Sequence, residues 1–163
     1  MLVEFRVANF RSFNEEQTLS LVASKKDDKH PDNMIQCDKF RLLKAVSVHG
    51  PNASGKSNLI KAINCMRLFI INSATTMNLG DSIPGMDPFR LTADTREKPS
   101  FFEAVIVVDD TRFEYGFSAT AERVYSEWLI ARPPAPKKRR TWFRRGTAGV
   151  PLEDEGGRCQ PGF

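Results

Sequence analysis

The sequence predicts a mixed α/β fold organised around one anion-binding loop, and three observations predict it. Gly50-Pro51-Asn52-Ala53-Ser54-Gly55-Lys56-Ser57 matches the spacing G-x-x-x-x-G-K-[ST]. An apolar, β-branched run from Leu42 to Val48 precedes it, and residues 58 to 72 carry helical periodicity behind it. At the N-terminus Val3, Phe5 and Val7 alternate with Leu2, Glu4 and Arg6, the period of a half-buried strand.

In chain order, the first strand leads into Asn9-Phe10-Arg11-Ser12-Phe13, and Gln17 to Ala23 reads as a second strand that pairs with it as a hairpin. Residues 24 to 39 hold Lys25, Lys26, Asp27, Asp28, Lys29, Pro31 and Asp32, a polar, breaker-rich stretch expected to be an exposed loop. Leu42 to Val48 is expected as a buried strand. In the helix that follows, Leu59, Ile63, Met66 and Ile70 fall on one stripe, and Ile60, Ala62 and Phe69 broaden it until much of the helix should be covered. Residues 73 to 100, with Gly80, Pro84, Gly85, Pro88 and Pro99, form a long irregular excursion of the kind that serves function or a partner.

Phe101 to Val108 and Phe113 to Ala119 read as strands around a polar turn, Asp109-Asp110-Thr111-Arg112. The same stretch resembles the apolar run and acid of a Walker B strand, whose Asp would hold Mg²⁺. Turn residues joining two alternating runs directly favour the hairpin, because a Walker B strand is a parallel one reached by a crossover. Val124 to Ile130 extends the meander by one strand.

From Arg132 the character changes. Pro133-Pro134-Ala135-Pro136, Lys137-Lys138-Arg139-Arg140 and Trp142-Phe143-Arg144-Arg145 are followed by a Gly/Glu/Pro-rich end, and disorder is the expectation. The net charge of +4 arises here: residues 1 to 131 hold 16 Lys+Arg against 17 Asp+Glu, and residues 132 to 163 hold 8 against 3. The division is therefore a lobe over 1–131 and a basic tail over 132–163, in which cations interleaved with Trp142 and Phe143 suit single-stranded nucleic acid. Cys37, Cys65 and Cys159 are odd in number and far apart, so they read as free thiols. No apolar run reaches the ~18 residues of a membrane span, and the acidic Glu4 argues against a signal peptide, which makes the cytoplasm the expected compartment.

The chemistry concentrates in the loop. Gly50 and Gly55 permit the backbone to wrap an anion, Lys56 supplies a cation for the β/γ-phosphates, and the Ser57 hydroxyl suits Mg²⁺. Pro51, Asn52, Ala53 and Ser54 contribute the backbone between the glycines, and Asn58 continues the helix whose positive end faces the anion. ATP and Mg²⁺ are the ligands this pattern calls for. A small-molecule kinase shares the loop, but kinases of that class usually begin with the strand before it, which the N-terminal hairpin does not fit.

Asn9-Phe10-Arg11-Ser12-Phe13, Gly50 to Leu59 and Pro88-Phe89-Arg90-Leu91 together resemble the N-terminal half of an ABC-class ATPase head of the RecF, SMC and OLD type. The chain is most similar to bacterial AAA-type ATP-binding proteins of defence and abortive-infection systems, over roughly residues 1 to 131. The resemblance implies a P-loop NTPase of ABC-ATPase-head type, a mixed sheet with an antiparallel subsheet. It implies two heads sandwiching two nucleotides, a homodimer or head-to-head assembly in the full-length protein, and coupling to a nuclease or DNA-related effector. It also brings Asn9 and Arg11 near the nucleotide. The sequence has no L-S-G-G-Q-like signature, no convincing Walker B Asp-Glu after residue 119 and no switch His. Gly156-Gly157 lacks the Leu-Ser of a signature. The fold is accordingly expected to be incomplete, the change near residues 132 to 140 reading as a frameshift or truncation. The isolated chain is expected to bind Mg-ATP with little hydrolysis.

Overall fold

Alternation at the N-terminus produces an edge-to-core strand. Leu2–Ala8 forms β1 with Val3, Phe5 and Val7 buried, in a computed structural model that describes residues 1–24, 29–37, 40–75, 81–134 and 138–146. Gln17–Ser20 is β2, antiparallel to β1 with Phe5 opposite Leu19. The expected hairpin is present, its second strand shorter than the stretch Gln17 to Ala23.

The large sheet is completed from the C-terminal side by Ser100–Val108 (β5), Thr111–Ala119 (β6), Val124–Arg132 (β7) and Arg140–Gly146 (β8). Its order is β2-β1-β5-β6-β7-β8, each neighbour antiparallel to the next. Asp109 and Asp110 join β5 to β6 with φ of 48° and 58°. Two left-handed residues make the primed turn whose twist matches that of the strands. Thr111 and Arg112 already pair with Val108 and Val107, so the turn is two residues rather than four.

Lys56–Thr75 is α1, and it lies on one face of this sheet. Ala62, Cys65, Met66 and Phe69 are buried against Phe5, Val7, Phe10, Phe102 and Phe117, with the Phe69 and Phe117 ring centres 4.1 Å apart. Each Phe removed from water in this way is worth about 1.5–3 kcal/mol. Ile60 and Ile70 are 66% and 44% exposed, so the covered stripe is narrower than the expected one. A sheet lies on one side of the helix only, and a helix packed on one layer buries one stripe.

A two-stranded ribbon, Met34–Cys37 (β3) with Phe40–Leu43 (β4), sits at the other face, where Leu42 packs with Val3 and Val105. Three sequence expectations are corrected here. Residues 24 to 39 are not loop throughout, since β3 falls within them. The strand expected over Leu42 to Val48 stops at Leu43, and Val46 and Val48 stand 40% and 47% exposed. Among the described residues no strand runs beside 44–50, and a β-prone sequence without a neighbour has no ladder to join. The stretch expected as a disordered tail contributes β8, paired to β7 from Gly146 opposite Ser126 to Arg140 opposite Ala131. Cys159, Gly156-Gly157 and the rest of 147–163 lie outside the described residues, as do 25–28, 38–39, 76–80 and 135–137. Among the described residues, no helix is long and apolar enough to cross a membrane.

Candidate functional site

The segment that leads into the loop is anchored at its start by one small turn. Asn33 accepts the Ala45 N–H on Oδ1 at 3.1 Å and donates from Nδ2 to the Ala45 carbonyl at 3.0 Å, while its own carbonyl takes the Lys44 N–H at 2.8 Å. That clamp fixes where the chain enters the loop. The loop then turns through Ala53 at φ 64° and Gly55 at φ 91°. At Gly50, a Cβ would stand 2.8 Å from Ser54 Oγ, so a side chain there would fill the cradle.

The Gly55 carbonyl accepts the N–H groups of Asn58 and Leu59 at 2.9 and 3.1 Å, which starts α1. No acidic residue occupies the first turn, so the chain leaves the positive end of this 20-residue helix unneutralised. Lys56 folds across the loop: its ammonium donates to the Gly50 carbonyl at 2.7 Å, the Pro51 carbonyl at 2.6 Å and Ser54 Oγ at 3.3 Å. Pro51, Asn52, Ala53, Ser54 and Ser57 are exposed. The eight motif residues and Asn58 thus lie together at a helix N-terminus, most of them exposed. Exchangeable N–H donors, a mobile cation and the open Ser57 hydroxyl are what a phosphate chain with its Mg²⁺ requires, so these residues fit that group. Among the described residues there is no cluster of three or more His, Cys, Asp or Glu side chains that would hold a metal by itself.

The turn after β1 buttresses the loop. Asn58 Nδ2 donates to Ser12 Oγ at 2.9 Å, and a Cβ on Gly55 would meet Ser12 Oγ at 3.1 Å and the Phe13 ring at 3.3 Å. Ser12 and Phe13 are thus supports that motif spacing alone does not reveal, although they sit inside the quoted Asn9–Phe13 stretch. Arg11 points elsewhere. Its N–H donates to the Asp87 carbonyl at 2.8 Å, and its guanidinium lies 3.8 Å from the Asp87 carboxylate and over the Phe10 ring. It is also close enough to Cys65 to draw that thiol's pKa down, against the larger effect of burial, which leaves it pushed up to about 11. Cys65 belongs to the third turn of α1.

Asn9 is buried and serves the excursion. Its Nδ2 donates to the Thr95 and Lys98 carbonyls at 2.9 Å each, and its Oδ1 accepts the Phe89 N–H at 3.1 Å. A short helix, α2 (Ala93–Arg96), is held in this way against the end of β1. Asp109 and Asp110 turn the β5–β6 hairpin and are not a Walker B pair.

A family model described as "AAA domain, putative AbiEii toxin, Type IV TA system" matches residues 46–150, more than half of the chain, and its match takes in the loop, α1 and the β5–β7 meander. No curated protein and no solved structure matches.

Proposed function

The chain belongs to this family of AAA domains, P-loop nucleotide-binding ATPases related to abortive-infection proteins, and from that membership we propose that it is the Mg-ATP-binding lobe of an ATPase whose head is of the ABC, RecF and SMC type. The observation that carries the reading is the loop itself, with Lys56 Nζ on the Gly50 and Pro51 carbonyls at the N-terminus of α1. Lys56 exchanges two neutral carbonyl contacts for charged phosphate oxygens, which form the stronger, charge-assisted bonds. The loop's backbone N–H groups and the helix end would hold the β-phosphate, and Ser57 Oγ, one residue beyond Lys56, would be a ligand for Mg²⁺. Bound Mg²⁺ supplies charge neutralisation at the transferring phosphoryl group.

Hydrolysis needs more than a grip. Phosphoryl transfer relies on a water-positioning group and on cations set around the equatorial oxygens. In this reading a second head supplies them in trans, and closure of the two heads on ATP drives a nuclease or another DNA-related effector of a defence system. Arg11 then acts indirectly, by holding Asp87 and so the turn that carries Ser12 to Asn58.

Calorimetric titration of Mg-ATP into the wild type and Lys56→Ala tests the binding step. Saturable heat is expected from the wild type and none from the variant. Equal heats from both would end the P-loop reading.

A further inference from the structure

β8 brings basic and aromatic side chains out on one face of a sheet edge. Between Arg132 and Gly146 the sequence has seven Lys or Arg and no Asp or Glu. Phe143 lies opposite Leu129, which lies opposite Tyr115, so all three share a face. The register slips between Leu129 and Ile130, and Trp142 is the extra residue of that bulge. Its ring reaches across β7 to Phe113, 5.2 Å between centres at 74°. Arg140 opposite Ala131 and Arg145 opposite Glu127 complete the row on the same face, Arg145 donating from Nε to the Glu127 carboxylate at 2.6 Å while most of its side chain stays exposed.

The helix does not cover this end of the sheet. Phe69 packs on Phe117, whereas Phe113 and Leu129 are half-buried, Trp142 is 61% exposed and Phe143 39%. Two large aromatics in water between arginines cost solvation that a partner with flat apolar faces would recover. Positive charge is crowded as well: burial, and then Arg132 and Arg144, lower the Arg139 pKa.

We propose that the β8 edge, with Trp142 and Phe143 as stacking groups and Arg140 and Arg145 as phosphate contacts, is a docking surface for single-stranded nucleic acid. Charge selects the occupant. A second copy adding its own β8 to this edge would set arginines beside arginines, which opposes pairing. An acidic peptide would satisfy the cations and leave the rings wet. A single strand offers both a phosphate backbone and exposed bases, and base stacking on aromatics is worth about 1–3 kcal/mol per base.

The test is anisotropy of a fluorescein-labelled oligothymidylate titrated with the full chain over a salt series, with tryptophan emission followed in parallel. Binding is expected to quench that emission and to weaken linearly in log salt, with a slope of about −0.7 per phosphate contact. Trp142→Ala should weaken it about tenfold, the equivalent of one stacked base, while Trp142→Phe retains most of it. Arg140→Glu should also weaken it and flatten the salt slope. Lys56→Ala should leave it unchanged, so this surface can fail while the P-loop reading stands, and the reverse. Three results would each overturn the proposal: no binding at low salt, binding indifferent to Trp142→Ala, or quenching by anionic phosphatidylglycerol vesicles with none by the oligonucleotide.

Discussion

At the scale of single residues, Gly55 is constrained both by its backbone and by its neighbours. Its φ of 91° is a conformation in which side chains are strained, and Ser12 Oγ stands 3.1 Å from where a Cβ would go. Gly55→Ala therefore adds strain of about 1–3 kcal/mol and displaces the Ser12–Asn58 contact. Urea denaturation should show the midpoint falling, and Mg-ATP heat should fall with it. Cys65 makes a pH prediction. Burial, offset in part by Arg11, raises its pKa to about 11 from 9.0. A thiol raised in the folded state contributes stability that is fully present below the unfolded value and lost as pH rises through the folded one. Stability should therefore decline between about pH 9 and 11, and Cys65→Ala should remove that part of the slope in denaturant melts. The turn at Gly55 and the start of α1 were legible because they depend on spacing within eight residues. Asn9 and Ser12 were not legible in the same way, because their partners lie 80 to 89 and 46 residues away and nothing local announces them.

Among the elements, the β5–β6 hairpin offers the cleanest test of local chemistry. Asp109 and Asp110 both hold positive φ and place two like charges side by side. Asn-Gly is the sequence that this turn prefers, so Asp109→Asn with Asp110→Gly should stabilise by about 0.5–1 kcal/mol. A lower melting temperature in the double variant would contradict the turn assignment. β1, α1 and the β5–β7 meander could all be read from periodicity, since each buries one face on a layer that the chain itself supplies. β3 and β8 could not, because short edge strands carrying polar or cationic residues have the composition of loops. The reverse error occurred at Val46 and Val48, where β-branched residues promise a strand but pairing needs a neighbour. The stripe on α1 was drawn too wide for the same reason: Ile60 and Ile70 are apolar, yet only one layer covers the helix. Periodicity reports which face a residue occupies and says nothing of what lies against it.

On the scale of the whole molecule, nucleotide binding and turnover are expected to separate. The described residues include no cluster of three or more potential metal ligands, while the loop, its cation and the helix end are in place. The isolated chain should therefore gain thermal stability from Mg-ATP, by the mass-action term RT ln(1 + [L]/Kd), yet release phosphate no faster than Lys56→Ala. A wild-type rate well above that of the variant would mean that the chain completes its own site.

The pairing of β1 with β5 has a further consequence. It joins Leu2 to Ile106 and Ala8 to Phe101, so the phosphate loop and α1 both lie inside the span of chain that this pairing closes. Closing some 90 residues costs about 3 kcal/mol more than closing a two-residue hairpin, because the entropy grows with the logarithm of length. The β5–β8 meander is built from short closures and does not depend on that step. Ser12 and Phe13 reach the loop only once β1 is in the sheet. Whatever loosens this chain, whether heat, denaturant or a substitution in β1, costs it the grip on phosphate before it costs it the sheet.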